Sequence, residues 1–171
     1  MTRRSAAFTL IELTLVTVII LALVGLSIPL FRKTFSELSA KNTVFNISKL
    51  INYAQERSII DRENYKITFN FTRNQYQLFN AKQSAEKLMY VQSRDKFGRV
   101  FTLPQGLSFK DPSGKETHQL GEEYKEEIVF YPDGHCNILA IEVLDKSGAG
   151  YRITAKGFGS LVEMKEVTGA D

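Results

Sequence analysis

The sequence predicts an α+β fold in which one long amino-terminal helix packs on the antiparallel β-sheets of a carboxy-terminal globular domain. Three observations lead to this prediction. Residues 8–31 form an almost uninterrupted apolar segment, the residues after Arg32 keep a helical spacing of apolar side chains, and from Tyr65 onward apolar residues alternate with polar ones. A helical region followed only by strands is typical of an α+β protein.

The composition is that of one globular domain with an appendage. A chain of 171 residues is long enough for one domain with a core, and 43% hydrophobic with 24% charged residues argues against long disorder. Cys136 is the only cysteine, so no intramolecular disulfide can form. Without Arg3 and Arg4, which lie in a predicted leader, the 22 basic residues become 20 against 19 acidic ones, a net charge of +1. This balance predicts no nucleic-acid partner.

The amino terminus divides into a short polar leader and an apolar segment of membrane length. Residues 1–7 read MTRRSAA, and residues 8–31 contain a single charge, Glu12. As a helix, residues 8–31 span roughly 36 Å at about 1.5 Å per residue, enough to cross a bilayer core. The small residues precede the apolar segment, whereas an ordinary secretory signal places its cleavage site after it. We therefore predict a transmembrane helix preceded by a leader.

Glu12 is the residue of this segment that most needs an explanation. A carboxylate deep in a bilayer costs about 2.5–3.5 kcal/mol, so an acid within a membrane helix indicates a function. From position alone a second interpretation is equally open, in which Glu12 lies near the interface and extends its carboxylate toward water.

The amino-terminal motif resembles the class III signal of type IV pilins and of type II secretion pseudopilins. It comprises AFTLIE at residues 7–12, the apolar helix, and Pro29. The resemblance implies that a prepilin peptidase cuts between Ala7 and Phe8 and methylates the new amino terminus of Phe8. Glycine usually precedes the cut in this family, and Ala7 departs from that pattern. The resemblance also implies that Glu12 pairs during assembly with the cationic amino terminus of a neighbouring subunit or of its own.

The helix is predicted to continue beyond the apolar segment. Pro29 lacks a backbone donor and clashes with the preceding turn, so we predict a helix kink there, at the position of a break in the family. Residues 32–62 are predicted to be an amphipathic continuation of the helix. Its apolar side recurs at spacings of 3, 4 or 6 and should pack on a sheet. The residues of that side are Phe35, Leu38, Val44, Ile47, Ile51, Ala54 and Ser58.

Residues 63–171 are predicted to form the β-rich globular domain. Alternation from Tyr65 to Phe71, a turn at 72–74 and renewed alternation at Tyr76 and Leu78 predict a hairpin. The stretch 111–127, rich in glutamate, is predicted to be a long exposed loop. Further strands are predicted at 87–91, 99–103, 106–110, 127–131, 136–144, 150–155 and 160–165, several of them separated by Pro, Gly and Asp turn signals.

The carboxy-terminal half resembles the H-class minor pseudopilins of type II secretion and their minor pilin relatives. The resemblance is carried by FYPDGHCNILAIEV at 130–143 and YRITAKGFGSLVEM at 151–164. Family members often carry Thr-Gly-Arg in the last turn, where this chain has KGFG at 156–159. Major subunits often have a disulfide loop or a calcium site near the carboxyl terminus, and the absence of a cysteine pair and of acidic clustering favours a minor subunit.

The inventory of reactive side chains predicts no catalytic residues, no metal site and no cofactor. His118 and His135 are the only histidines, and zinc-protease, nucleophile-elbow and phosphate-loop motifs are absent from the sequence. His135 and Cys136 are neighbours on a predicted strand, so they point to opposite faces and make a poor catalytic dyad. Asp133 and Asp145 are interpreted as turn residues rather than calcium ligands.

Together with the resemblance, the sequence predicts a minor pseudopilin, a structural subunit of the pseudopilus of a type II protein secretion system. The predicted location is the inner membrane, crossed once, with the carboxy-terminal domain in the periplasm. The predicted partners are other pseudopilins or pilins, the prepilin peptidase and the membrane. A minor pilin of a type IV pilus or DNA-uptake system is the related alternative. A bitopic membrane protein with a ligand-binding periplasmic β domain is the alternative from another class, and a hydrolytic enzyme comes last.

Overall fold

The computed structural model describes residues 9–84, 87–93, 95–112, 123–158 and 161–169, and their side chains except those at 26–34, 83–84, 87–88, 158 and 161. The chain divides into two compact units, Met1–Phe35 and Ser36–Asp171. One helix, α1 (Leu10–Asp61), contributes residues to both units. The second unit contains every strand among the described residues.

The second unit is α+β, as predicted, with an antiparallel sheet packed on one face of α1. The strand order is β3-β2-β1-β6-β7-β8-β9, with β4 beside β2 and β5 beside β7. Every pairing between the described strands is antiparallel. The strands are β1 (Tyr65–Asn70), β2 (Gln75–Ser84), β3 (Lys87–Gln92), β4 (Phe101–Thr102), β5 (Ser108–Lys110), β6 (Lys125–Phe130), β7 (His135–Leu144), β8 (Gly150–Phe158) and β9 (Leu161–Val167).

The inner face of α1 follows the helical period from Ala40 to Ser58. Its buried side chains are spaced three or four residues apart, which places them on one side of the helix. The core-facing helix residues are Ala40, Val44, Ile47, Leu50, Ile51 and Ala54, all 2% exposed or less. Phe35 and Leu38, predicted on the sequence pattern to share this face, are instead 67% and 52% exposed. The covered part of the helix therefore begins later than the spacing indicated.

The strands supply the other half of the core through their alternating residues. In β1, Ile67 and Phe69 are fully buried, and the cross-strand partner of Ile67 in β6, Ile128, is buried as well. Phe109 of β5 packs edge-on against Phe69, with ring centroids 5.6 Å apart. Because period-2 alternation puts every second residue on the helix side, these strands form one apolar layer beneath α1.

Polar contacts fix the end of α1 and the turn between β1 and β2. At the end of α1, Arg62 adopts a left-handed φ of 55°, which stops the helix. The Asp61 carboxylate then accepts a hydrogen bond from the Tyr65 hydroxyl at 2.6 Å and pairs with Arg57 at 2.9 Å. In the β1–β2 turn, Asn74 has φ 53°, and its side-chain oxygen accepts the Phe109 N–H at 2.9 Å. The hairpin turn is thereby tied to β5.

The sheet changes register where β6 meets β7. These strands share the single aligned pair Phe130 and Cys136, and the β7–β8 register shifts between Cys136 and Leu139. Beyond this pair, the Asn137 side chain of β7 bonds to the backbone of β6 instead. It accepts the Val129 N–H at 2.6 Å and donates to the Glu127 carbonyl at 2.9 Å. Bulges of this kind bend a strand locally.

The structure confirms the predicted hairpin and locates a strand at each of the other predicted positions, with corrected ends. The predicted loop 111–127 is too long, because β6 begins at Lys125. Its glutamates Glu126 and Glu127 lie opposite Phe69 and Thr68 in the β1–β6 ladder. Residues 113–122, which include His118, lie outside the described residues, as do the predicted leader 1–7 and Phe8.

Gly150 is a position where the backbone leaves no room for a side chain. A Cβ at this residue would lie 2.0 Å from the Val143 carbonyl oxygen and 3.0 Å from the Leu144 Cα. Both are backbone atoms of the neighbouring strand, so the clash cannot be relieved by a rotamer change. We predict that Gly150→Ala lowers the free energy of unfolding by about 1–3 kcal/mol.

The measurement is thermal or urea unfolding of the full chain in mild detergent, followed by circular dichroism. Ser108→Ala is the matched control, since Ser108 is an exposed strand residue and its replacement should change stability by less than about 0.5 kcal/mol. Equal stabilities of the two variants would contradict the register of β7 on β8.

Candidate assembly surfaces

The first half of α1 is a continuous apolar surface. Every side chain at residues 9–25 is exposed, with Leu10 at 82% and Leu21 at 66%. Glu12 is the only charged residue in that range. Soluble proteins rarely expose an apolar surface of this extent unless it contacts another protein or lipid.

The polar side chains of this segment are satisfied within the helix. The Thr14 hydroxyl donates to the Ile11 carbonyl at 2.8 Å, and the Thr17 hydroxyl donates to the Leu13 carbonyl at 2.8 Å. Such back-bonding consumes the only strong donors of the two side chains. The helix therefore presents almost only hydrocarbon to its surroundings, with Glu12 as the exception.

Glu12 lies in the first turn of α1, three residues after Thr9, which caps the helix. Thr9 precedes the helix, and the Glu12 N–H lies 3.1 Å from the Thr9 carbonyl oxygen and 3.4 Å from its hydroxyl oxygen. The spacing Thr9-x-x-Glu12 is that of a capping box, in which the acid at the third helical position also favours the helix dipole. This local role was readable from the sequence but was not part of the sequence prediction.

The Glu12 carboxylate itself has no hydrogen-bond or ion-pair partner among the described residues. Ala7 and Phe8 lie outside the described residues. Pro29 lies within the bounds of α1, but its side chain is not described, and the helix kink remains a prediction.

In the part of the chain that the structure describes, no helix is both long enough and apolar enough to cross a membrane.

A second uncovered surface lies in the globular unit, between α1 and the last two strands. We call it the α1–β9 groove. It is an open cavity of about 590 Å³ lined by Leu38, Lys41, Asn42, Val44, Phe45, Tyr151, Met164 and Glu166. Leu38 and Phe45 are each 52% exposed, and Met164 is 49% exposed. The helix thus leaves the sheet partly uncovered at β9, which the sequence did not indicate.

Residues of α1 hold the β6–β7 turn in place. The Gln55 side chain donates to the Gly134 carbonyl at 2.8 Å, and the Ser58 hydroxyl contacts the Tyr131 carbonyl at 3.2 Å. Gly134 has φ 85°, a left-handed conformation that glycine adopts without strain. The turn is therefore docked on the helix by buried polar contacts.

Asp133 and Asp145 act as turn residues, as interpreted from the sequence. The Asp133 carboxylate accepts the His135 N–H at 3.2 Å and contacts the imidazole Nδ1 at 2.5 Å. Asp145 accepts the Ser147 N–H at 2.8 Å, the Ser147 hydroxyl at 2.6 Å and the Ala149 N–H at 3.1 Å. Among the described residues, no three carboxylate, imidazole or thiol side chains gather as a metal-binding set.

His135 and Cys136 do not approach each other as a catalytic pair. The His135 ring stacks on Tyr131 at 4.5 Å between centroids, whereas the buried Cys136 thiol lies 3.6 Å from the Gly157 carbonyl. Burial raises the pKa of the Cys136 thiol, which disfavours the nucleophilic thiolate.

The outer face of the sheet carries a polar cleft of about 420 Å³ across β1, β2 and β6. Its charges are paired with each other: Lys66 with Glu127 at 2.8 Å, and Glu123 with both Arg73 and Lys125 at 2.5 Å. The hydrogen bond from Lys125 and the charges of Lys125 and Arg73 lower the pKa of Glu123. Paired, exposed charges of this kind form a solvated face and add little stability.

Two solved structures of the minor pseudopilin EpsH, from the type 2 secretion system of Vibrio cholerae, are similar to this chain. One gives a TM-score of 0.54 at 14% identity and covers 78% of this chain and 98% of EpsH. The other gives a TM-score of 0.51 at 16% identity and covers 80% of this chain and 95% of EpsH. This chain has the fold of a minor pseudopilin.

The minor-pseudopilin fold confirms the resemblance that the carboxy-terminal half of the sequence indicated. No family model and no curated protein matches the sequence. At these identities the likeness establishes the fold, a helix packed on antiparallel strands, and leaves the partners to be argued from the chain itself.

The loop after β7 gives a pH-dependent test of the globular unit. Burial alone would raise the pKa of Asp145, but the hydrogen bonds from Ser147, Ala149 and Ser36 outweigh it and lower the pKa. Because the folded pKa is below the unfolded one, Asp145 contributes stability above the unfolded pKa of about 4 and loses it as pH falls through the folded value.

We therefore predict that Asp145→Asn destabilises the domain at pH 7 and that this difference shrinks on acidification below about pH 4. The measurement is the melting temperature of both proteins in mild detergent from pH 7 to pH 2.5. Ser36→Ala, which removes a single contact to Asp145 at 3.2 Å, should have a smaller effect. An Asp145→Asn effect that is independent of pH would contradict the assignment.

Proposed function

We propose that the protein is a minor pseudopilin that joins the inner-membrane pseudopilus of a type II secretion system and acts as a structural subunit without catalytic activity. The observation that carries this proposal is the combination, in one chain, of the EpsH-like fold with an exposed, apolar first half of α1. We infer from this combination a globular domain that is delivered to a filament by its helix.

The proposal assigns residues 8–31 to the inner membrane before assembly and the carboxy-terminal domain to the periplasm. What supports it is the apolar sequence of residues 8–31, with one charge, and the exposure of every side chain at residues 9–25. The threonine hydroxyls bound to helix carbonyls support it as well, since hydrocarbon offers no partner for a free donor.

Assembly is proposed to depend on Glu12. The carboxylate has no partner among the described residues and lies in an apolar surface, where an opposite charge from another subunit binds more strongly than in water. After a cut between Ala7 and Phe8, the new N-methylated amino terminus supplies such a charge. The proposed partners are other pseudopilins and the prepilin peptidase.

The proposed cleavage between Ala7 and Phe8 gives a prediction about processing. Intact mass and amino-terminal sequencing of the chain purified from membranes should show N-methyl Phe8 as the first residue when a prepilin peptidase is co-expressed, and Met1 when it is not. Ala7→Gly is the matched control and should be cut at least as completely, whereas Ala7→Leu should remain uncut. A chain cut beyond Phe31, or one indifferent to the peptidase, would contradict the proposal and favour a plain membrane anchor.

Variants of Glu12 give a further prediction, which separates ion pairing from helix capping. Glu12→Gln keeps the capping-box geometry but removes the charge, and Glu12→Ala removes both. If Glu12 pairs with a cation, both variants stay in the membrane but co-assemble at least about fivefold less, since the lost pair is worth roughly 1–4 kcal/mol.

The measurement is the amount of each variant that copurifies with the other subunits from membranes, relative to its total amount. Thr9→Ala controls for the loss of the cap alone, which costs about 1 kcal/mol of helix stability. Wild-type co-assembly of Glu12→Gln together with loss in Glu12→Ala would assign Glu12 to capping and defeat the pairing role.

A further inference from the structure

Strand β9 leaves one edge of the sheet open. It is the last strand in the sheet order, and among the described residues it pairs with β8 alone. Its outer edge therefore presents backbone N–H and C=O groups that a further strand can bind. Leu161–Val167 is a strand of seven residues, long enough for about six to eight backbone hydrogen bonds to an antiparallel partner.

The sequence of β9 is complementary to itself about Met164. When two copies pair antiparallel with Met164 on the two-fold axis, Glu163 of each copy lies opposite Lys165 of the other. Leu161 then lies opposite Val167, and Val162 meets Glu166. Opposite charges directly across an antiparallel pair stabilise it, and like charges destabilise it.

The same charges disfavour the neighbouring registers of this kind. Sliding one copy by two residues in one direction puts Lys165 opposite Lys165, and sliding it in the other direction puts Glu163 opposite Glu163. Within one chain, Glu163 lies 3.4 Å from Lys165 and 3.8 Å from Lys156, in exposed pairs that contribute little. These side chains can therefore turn toward a second copy at small cost.

The inward-facing side of β9 is only partly covered. Met164 lies opposite Ile153 in the β8–β9 register, yet Ile153 is 1% exposed and Met164 is 49% exposed. Met164 lines the α1–β9 groove together with Leu38 and Phe45 of the helix. A second β9 at this edge would bring its own Met164 beside the first and extend the apolar layer past the groove.

We propose that the globular unit pairs with a second copy of itself by antiparallel addition of β9 to β9, centred on Met164. The contact is isologous, so it closes as a two-fold dimer and leaves no further β9 edge free. The contact uses none of residues 9–25 of α1. The β9 edge is therefore a second interaction surface, separate from the apolar first half of the helix.

The test is disulfide formation in the full chain, purified in mild detergent, with Cys136 replaced by serine to remove the native thiol. Opposed residues of an antiparallel pair have Cα atoms about 4.5–5.5 Å apart, within the range of a disulfide. Met164→Cys should form an interchain disulfide under mild oxidation. Val162→Cys should not do so alone, but it should when mixed with Glu166→Cys chains.

Ile138→Cys controls for chance collisions, because Ile138 is 72% exposed and lies away from β9, on β7. Glu12→Ala in the Met164→Cys chain controls for contacts made by the apolar helix and should leave the disulfide yield unchanged. Circular dichroism of each variant checks that the domain is folded.

A charge swap tests the proposed pairing of Glu163 with Lys165 between the two copies. Glu163→Lys should lower the yield of the Met164→Cys disulfide about tenfold, and Glu163→Lys with Lys165→Glu should restore it. Absence of a disulfide in folded Met164→Cys chains, equal yields at Met164→Cys, Val162→Cys and Ile138→Cys, or failure of the double charge swap to restore the yield would each overturn the proposal.

Discussion

The globular unit depends on the inner face of α1 between Ala40 and Ser58, because that face covers the apolar side of the sheet. Ile67, Phe69 and Phe130 of the strands are fully buried, and they would meet water without the helix. Each large side chain buried in this way contributes about 1.5–3 kcal/mol. The polar groups that fix the helix end and the β6–β7 turn, such as Gln55 and Ser58, then orient strands that are already held by this layer.

The first half of α1, by contrast, has an apolar surface that no described strand covers. Residues 9–25 are apolar except for Glu12 and three threonines, and nothing among the described residues covers them. The Thr14 and Thr17 hydroxyls are bound to carbonyls of the helix itself. A helix of that composition is stable only in an apolar environment. The proposed membrane insertion and the proposed packing in a filament are two such environments, and moving from one to the other exposes little new hydrocarbon to water. In the proposed assembly, Glu12 supplies the polar specificity that apolar packing lacks.

Most of the fold could be predicted from the sequence because the helical spacing and the strand alternation of its apolar residues are both strong. The alternation at Tyr65, Ile67 and Phe69 and the helical spacing from Val44 to Ala54 are local patterns, and the structure confirms both. The exposure of Phe35 and Leu38 could not be predicted, since it depends on where the sheet ends beneath the helix. The same holds for Glu126 and Glu127, which look like loop residues but lie in β6. There Lys66 and Thr68 donate hydrogen bonds across the ladder to the Glu127 carboxylate. The open edge of β9 likewise follows from strand order, which no local pattern encodes.

For the candidate site, the sequence singled out Glu12 but not its capping partner Thr9, although their spacing is a known helix-start signal.

The proposed role of residues 9–25 as an assembly surface can be examined with a photo-crosslinking amino acid at Val16, which is 44% exposed in the isolated chain. The experiment is done in membranes of cells that contain the secretion system, with Ile138 as a position on the globular unit for comparison. We expect crosslinks from Val16 to the apolar helix of another subunit, and their loss in Glu12→Gln chains. Crosslinks from Val16 to lipid alone, in cells whose filaments assemble normally, would contradict it.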